Sequence, residues 1–158
     1  MSIEKGREFF RAQGIEDRVQ EFAVSSATVE LAAEALGVEP ARIAKTLSFK
    51  SADGCLLIVA AGDARIDNQK FKGKFAMKAK MLTADEALEL VGHAVGGVCP
   101  FGINNGVPVY IDKSVLRFNT VFPAVGSSNS AIELTPDELY KYSAAIEWVE
   151  VCKLSENE

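Results

Sequence analysis

Two Thr-x-x-Glu boxes constrain the chain most: Thr83 with Glu86 in TADEALELVG, and Thr135 with Glu138 in TPDELYKYS. In such a box the threonine oxygen accepts from the glutamate's amide, and the glutamate carboxylate accepts from the threonine's amide. Each box therefore fixes a helix start. Gly92 ends the first helix and Pro136 opens the second, both in the positions those residues favour. Two further helices are predicted. IEKGREFFRAQG carries Ile3, Phe9 and Phe10 and stops at Gly14; TVELAAEALG runs from a Thr28 cap to Gly37. Between the helices lie strand-like runs: TLSFK and CLLIVAA across a SADG turn, then VPVYID, TVFPAV, AIELT and EWVEV. The SADG break predicts a hairpin in which Asp53 and Gly54 supply positive φ angles. Helices interleaved irregularly with short strands predict an α+β fold, and many short strands in a small chain suit a partly closed barrel.

The segment from Lys70 to Met81 supports two readings. Lysines at even positions and Phe71, Phe75, Met77 and Met81 at odd ones give the period of a strand, while Asp67 is placed to cap a short helix. The same segment gathers Lys70, Lys72, Lys74, Lys78 and Lys80 in a chain whose net charge is −5. Such a basic stripe binds phosphate or is simply a solvated face.

With 158 residues, 48% hydrophobic and 25% charged, the chain suits a single domain spanning residues 1–158. No apolar run approaches the roughly 20 residues of a membrane helix, and MSIEKGREFF has charges where a signal peptide needs an apolar stretch. A soluble, cytoplasmic protein with no membrane partner is expected. Three separated cysteines and one histidine argue against a disulfide framework, a structural zinc site and a multi-histidine metal site, so no metal and no cofactor are expected.

Three segments carry candidate chemistry. GGVCPFG combines glycines, whose backbone N–H groups approach a ligand closely, with Pro100, which fixes a torsion. Successive N–H groups in such a turn attract an anion or a developing oxyanion, although a plain turn has the same composition. GSSNSA places Ser127, Ser128 and Asn129 between two strand runs. Lys45, in RIAKTLSF, is a cation leading into a strand, where a snorkelling surface lysine is the alternative.

RIAKTLSF, LLIVAAGDARID, AKML, VGHAVGGVCPFG, VYID and GSSNSAIELTPDEL, in this order, resemble the YbaK family of aminoacyl-tRNA editing proteins, free-standing relatives of the editing insertion of bacterial prolyl-tRNA synthetase. The resemblance is strongest over residues 25–142. It implies a curved, barrel-like mixed β-sheet with flanking helices. It also implies hydrolysis of the ester between a wrong small amino acid, alanine or cysteine, and proline tRNA. By resemblance, Lys45 engages the 3′-terminal nucleotide, and the loop Gly96, Gly97, Val98, Cys99, Pro100 surrounds the aminoacyl group with backbone amides. Ser127 to Ser130 stand where relatives have a Gly-rich loop; Thr46, Gly102, Ser127, Ser128 and Asn129 are the substrate-binding candidates. The implied partners are mischarged tRNA, held by Lys70, Lys72, Lys74, Lys78 and Lys80, and an aminoacyl-tRNA synthetase. No metal is used. Relatives often carry serine or alanine where Cys99 stands, and some have an acidic residue near Ala131, so the substrate amino acid is the open point.

An aminoacyl ester is already activated, so no strong nucleophile is needed, and positioning water, or a neighbouring hydroxyl of the terminal ribose, recovers much of the barrier. Backbone N–H groups on the oxyanion are worth roughly 3 kcal/mol per well-placed donor. Two rivals stand beside this reading. In one, Cys99 is a nucleophile with His93 as base; in the other, the chain is a non-catalytic tRNA-binding or regulatory module.

Overall fold

The computed structural model describes residues 2–23, 28–93 and 98–154. Its N-terminal half contains α1 (Ser2–Ala12), β1 (Val19–Glu21), α2 (Val29–Leu36), β2 (Ile43–Ser51), β3 (Gly54–Ala61), β4 (Ala64–Ile66) and α3 (Asn68–Phe75). The rest contains α4 (Ala84–Leu90), β5 (Val109–Asp112), β6 (Phe122–Pro123), β7 (Ser130–Ile132), α5 (Pro136–Tyr142), β8 (Glu147–Val149) and β9 (Cys152–Leu154).

The central feature is the hairpin of β2 and β3, paired antiparallel from Ala44 opposite Ala61 to Ser51 opposite Gly54. Every residue of β3 from Cys55 to Ala61 is buried, because an apolar run this continuous must be covered on both faces. It is accordingly the middle strand of a curled five-stranded half-barrel ordered β6-β2-β3-β5-β8. The β3–β5, β5–β8 and β2–β6 pairs are parallel. Two antiparallel ribbons, β1–β7 and β4–β9, complete the mixed α+β architecture.

Both capping boxes are formed, with Thr83 and Glu86 heading α4 and Thr135 and Glu138 heading α5. Thr28 caps α2, and Gly37 ends it in the left-handed conformation at φ 70°. At the hairpin turn Gly54 alone has positive φ, 135°; Asp53 does not, so the expected pair of positive angles is corrected to one. For the lysine segment the cap wins over the period. The Asp67 carboxylate accepts from the amides of Gln69 and Lys70 and starts α3. Strand-like pairing survives only at its end, where Met81 bridges Phe49 and the amide of Leu82 donates to the carbonyl of Ser48.

Helix α1 closes one side of the core. Phe10 is fully buried, its ring centroid 4.7 Å from that of Phe101. A buried phenylalanine contributes about 1.5–3 kcal/mol, so this pair is a principal anchor between α1 and the 98–102 segment.

Candidate functional site

Strand β2 lies on the floor of a cavity of about 410 Å³, a size typical of small-molecule sites. Val29, Ala32 and Leu36 of α2 form one wall; Met81 and Leu82 form another. Val98, Phe122, Ala124, Ser127, Ser130 and Ala131 close the far side. The lining is largely aliphatic, with a few polar groups: Thr28, Lys45, Thr46, Ser48, Ser127 and Ser130.

The Lys45 side chain is partly buried, and its ammonium donates to the carbonyl of Ala64 and, at 3.4 Å, to that of Gly62. An ammonium has three N–H bonds; among the described residues two backbone carbonyls accept from it, which leaves the third N–H for a ligand. Burial pulls the Lys45 pKa below the usual lysine range, while Asp63 and Glu30 favour the charged form. The carbonyl cradle comes from the β3–β4 turn, which at Gly62 closely approaches Pro40, just before β2, and Val29 of α2. A Cβ there would come within 2.1 Å of the Pro40 carbonyl oxygen.

The structure brings Lys45, Thr46, Val98 and Ser127 together around one cavity. Gly96 and Gly97 lie outside the described residues. The Cys99 side chain is fully buried and does not line the cavity. Its Sγ sits 3.5 Å from His93 Nε2 and 3.5 Å from the Phe101 carbonyl oxygen. Burial pushes the Cys99 thiol up to about 12, so it is protonated at neutral pH. His93 is also fully buried; its Nε2–H donates to the Phe101 carbonyl at 2.7 Å, and its Nδ1 has no partner among the described residues. Burial lowers its pKa, which keeps the ring neutral. Neither geometry nor ionisation equips this pair as a nucleophile and base facing the cavity. Pro100 is buried beside Phe101, and Gly102, at φ 62°, packs on the backbone of Lys5 instead of lining the cavity.

The serine turn divides similarly. Ser127 and Ser130 line the cavity, whereas Ser128 and Asn129 do not. Asn129 is a staple: its Nδ2 donates to the Phe22 carbonyl at 3.0 Å, and its Oδ1 accepts from Ser127 Oγ at 2.9 Å. Ser130 Oγ accepts from the amide of Val125 and donates to the Ser127 carbonyl, bracing the turn from inside. Sequence reasoning missed Thr28 and Ser48 as lining residues. Thr28 was readable only as a helix cap, and Ser48 sits two residues after Thr46 in the TLSF run, the spacing that puts both on one face of a strand.

The five stripe lysines have separate fates. Lys74 pairs with Glu147 at 2.6 Å, and Lys70 donates to the Cys152 carbonyl at 3.2 Å. Lys72, Lys78 and Lys80 have no ion-pair partner among the described residues. Lys72 and Lys78 flank a second hollow of about 340 Å³, together with Asn68, Gln69 and Ala79. Lys78 and Ala79 border this hollow while Met81 and Leu82 border the main cavity, so a few residues of chain link the two. No helix among the described residues is long and apolar enough to cross a membrane.

Comparison with known proteins places this geometry in context. The sequence model of the aminoacyl-tRNA editing domain matches residues 24–142. A Bacillus subtilis protein named "Uncharacterized protein YwhH" is 54% identical over 154 residues, covering 97% of this chain and 98% of its own. An Enterococcus faecalis protein named "Putative Cys-tRNA(Pro)/Cys-tRNA(Cys) deacylase EbsC" is 29% identical over 114 residues, 71% of this chain and 70% of its own. A proline–tRNA ligase of Thermosipho melanesiensis is 35% identical over 89 residues, 56% of this chain and only 16% of the ligase. Among solved structures, one titled "Crystal structure of a putative trans-editing enzyme for prolyl tRNA synthetase" superposes with a TM-score of 0.87 at 29% identity, covering 96% of this chain and 97% of that one.

Proposed function

The chain belongs to the aminoacyl-tRNA editing domain family, and from that premise we propose that it is a deacylase acting in trans. It hydrolyses the ester of a small amino acid, alanine or cysteine, wrongly attached to proline tRNA. The observation that carries this reading is the Lys45 ammonium, oriented by two carbonyls at a largely aliphatic cavity and, among the described residues, left with one N–H unused. Lys45 holds a phosphate or ribose oxygen of the terminal nucleotide, which brings the ester into the cavity. The aliphatic walls accept a small side chain and exclude bulk water, and Thr46, Ser127 and Ser130 supply hydrogen bonds around the ester.

In this reading the Gly96–Pro100 loop acts through its backbone. Amide donors on the tetrahedral oxyanion, each worth roughly 3 kcal/mol, and a positioned water that attacks the ester carbonyl, oriented by a neighbouring ribose hydroxyl and expelling the tRNA hydroxyl, account for the chemistry. No ionised thiol is needed, which agrees with a Cys99 held protonated by burial. Lys72, Lys78 and Lys80 meet backbone phosphates of the tRNA, with Lys70 and Lys74 adding long-range charge despite their bonds to Cys152 and Glu147. An aminoacyl-tRNA synthetase, as the source of mischarged tRNA, is the partner reaction, and translation places both in the cytoplasm.

The test is a panel of tRNAs charged with alanine, cysteine, serine and proline, assayed for released amino acid. Release from a mischarged proline tRNA with correctly charged Pro-tRNA spared is the expected result. Tight tRNA binding without release from any member would instead identify a binding module.

A further inference from the structure

Helix α1 lies outside the residues matched by the editing-domain family, yet it touches both segments that frame the cavity. Lys5 and Gly6 make the contacts. A Cβ on Gly102 would lie 2.8 Å from the Lys5 carbonyl oxygen, so the segment that carries Val98 ends flush against the helix backbone. Lys5 Nζ also donates to the Gly92 carbonyl at 3.2 Å, at the start of the same segment. On the next residue, a Cβ built on Gly6 would lie 2.1 Å from the Val125 carbonyl oxygen and 2.7 Å from Val125 Cγ1. Val125 adjoins Ala124 and precedes Ser127, both of which line the cavity. Phe9 and Phe10, one helical turn on, pack against Phe101 at 5.8 and 4.7 Å between ring centroids.

We infer that Gly6 is a positioning residue that sets the width of the cavity, by letting α1 seat against the Val125 carbonyl and hold the 124–127 wall at its distance from Val98. The inference rests on the deacylase reading, since it concerns which amino acid that cavity accepts. The mechanics follow from packing. Phe10, buried against Phe101, resists outward movement of α1. Any side chain on Gly6 must therefore drive the Val125 carbonyl inward by roughly 1 Å or more to restore van der Waals contact. Ser130 Oγ, bonded to the Val125 amide and the Ser127 carbonyl, transmits that shift to the whole turn. A narrowed cavity discriminates against the larger of two amino acids, and one methylene or thiol is worth roughly tenfold or more in such a pocket.

The experiment compares kcat/KM for cysteinyl and alanyl esters on the same proline tRNA in wild type, Gly6→Ala and Leu139→Ala. Leu139 is a buried α5 residue that does not line the cavity, so its variant controls for lost stability. The ratio of the two kcat/KM values is independent of the fraction of enzyme that is folded. The expected result is a fall in the cysteinyl-to-alanyl ratio of at least about fivefold in Gly6→Ala, with Leu139→Ala at the wild-type ratio. If Gly6→Ala does not fold, Val125→Ala keeps the carbonyl contact but removes the Cγ1 that faces Gly6, which loosens the 124–127 wall and should raise the ratio. An unchanged ratio in the folded variant overturns the inference while leaving the deacylase reading intact. Absence of cleavage by the wild type of either ester overturns both.

Discussion

The buried imidazole of His93 donates a 2.7 Å hydrogen bond to the carbonyl of Phe101 and ties together the two ends of the segment that carries Cys99. The thiol lies within this tie, 3.5 Å from the ring nitrogen, and burial holds it protonated. Cys99 is thus a small packing residue in this account. Cys99→Ala and Cys99→Ser should retain deacylation to within about threefold, because a reactive thiolate requires an exposed, electropositive setting that is missing here. Iodoacetamide at neutral pH should modify Cys99 only as fast as the protein opens. Loss of activity in Cys99→Ala together with rapid alkylation of the native protein would restore the thiol mechanism.

The charge on the lysine segment gives a salt-dependent prediction. Lys72, Lys78 and Lys80, which lack ion-pair partners among the described residues, should carry most of the contact with tRNA phosphates. Each contact contributes on the order of 0.7–0.9 to the slope of log affinity against log salt. Replacing all three by glutamine should flatten that slope by about 2 and leave single-turnover cleavage at saturating tRNA unchanged. Filter binding across a salt series, with parallel cleavage assays, measures both. An unaltered slope would mean that the lysines form only a solvated face.

A pH prediction follows from Glu138. The Arg18 guanidinium, bonded to its carboxylate at 3.0 and 3.1 Å, and the Thr135 amide of the capping box lower its pKa to about 2. A carboxylate with a depressed folded-state pKa stabilises the fold above its unfolded value, near 4.5, and that contribution is lost as pH falls toward 2. Urea midpoints measured from pH 7 down to pH 2.5 should fall more steeply for wild type than for Glu138→Gln. Parallel curves would show that the pair adds nothing to acid stability.

The parts of the fold that were legible in the sequence are those with local causes. The capping boxes at Thr83 and Thr135, the Gly37 stop and the hairpin around Gly54 each depend on neighbours within four residues. The lysine segment was ambiguous because its period-two pattern is real, and the Asp67 cap outweighs it over Asn68–Phe75. Strands β1, β4 and β9, the segments VQE, ARI and CKL, escaped notice because none carries an apolar run of its own and each exists through a partner distant in sequence. The candidate site divides the same way. Lys45 stood out as a cation leading into a strand and Ser127 as part of a small polar turn, Thr46 was a substrate-binding candidate beside them, and all three line the cavity. Gly102 belongs to the Gly/Pro loop and Asn129 to the same serine turn as Ser127, but tertiary contacts direct them to Lys5 and Phe22. The role of Gly6 depends on a contact with Val125 that no local pattern encodes.

Lys45 carries the central claim, and single-turnover cleavage of the best substrate from the mischarged-tRNA panel tests it most directly. Lys45→Ala removes a charged hydrogen-bond donor at the terminal nucleotide, which should cost roughly 10²-fold in the rate of ester hydrolysis. The melting temperature should stay close to that of wild type, because a partly exposed lysine side chain contributes little to folding. A folded Lys45→Ala protein that cleaves the ester at the wild-type rate would contradict the account.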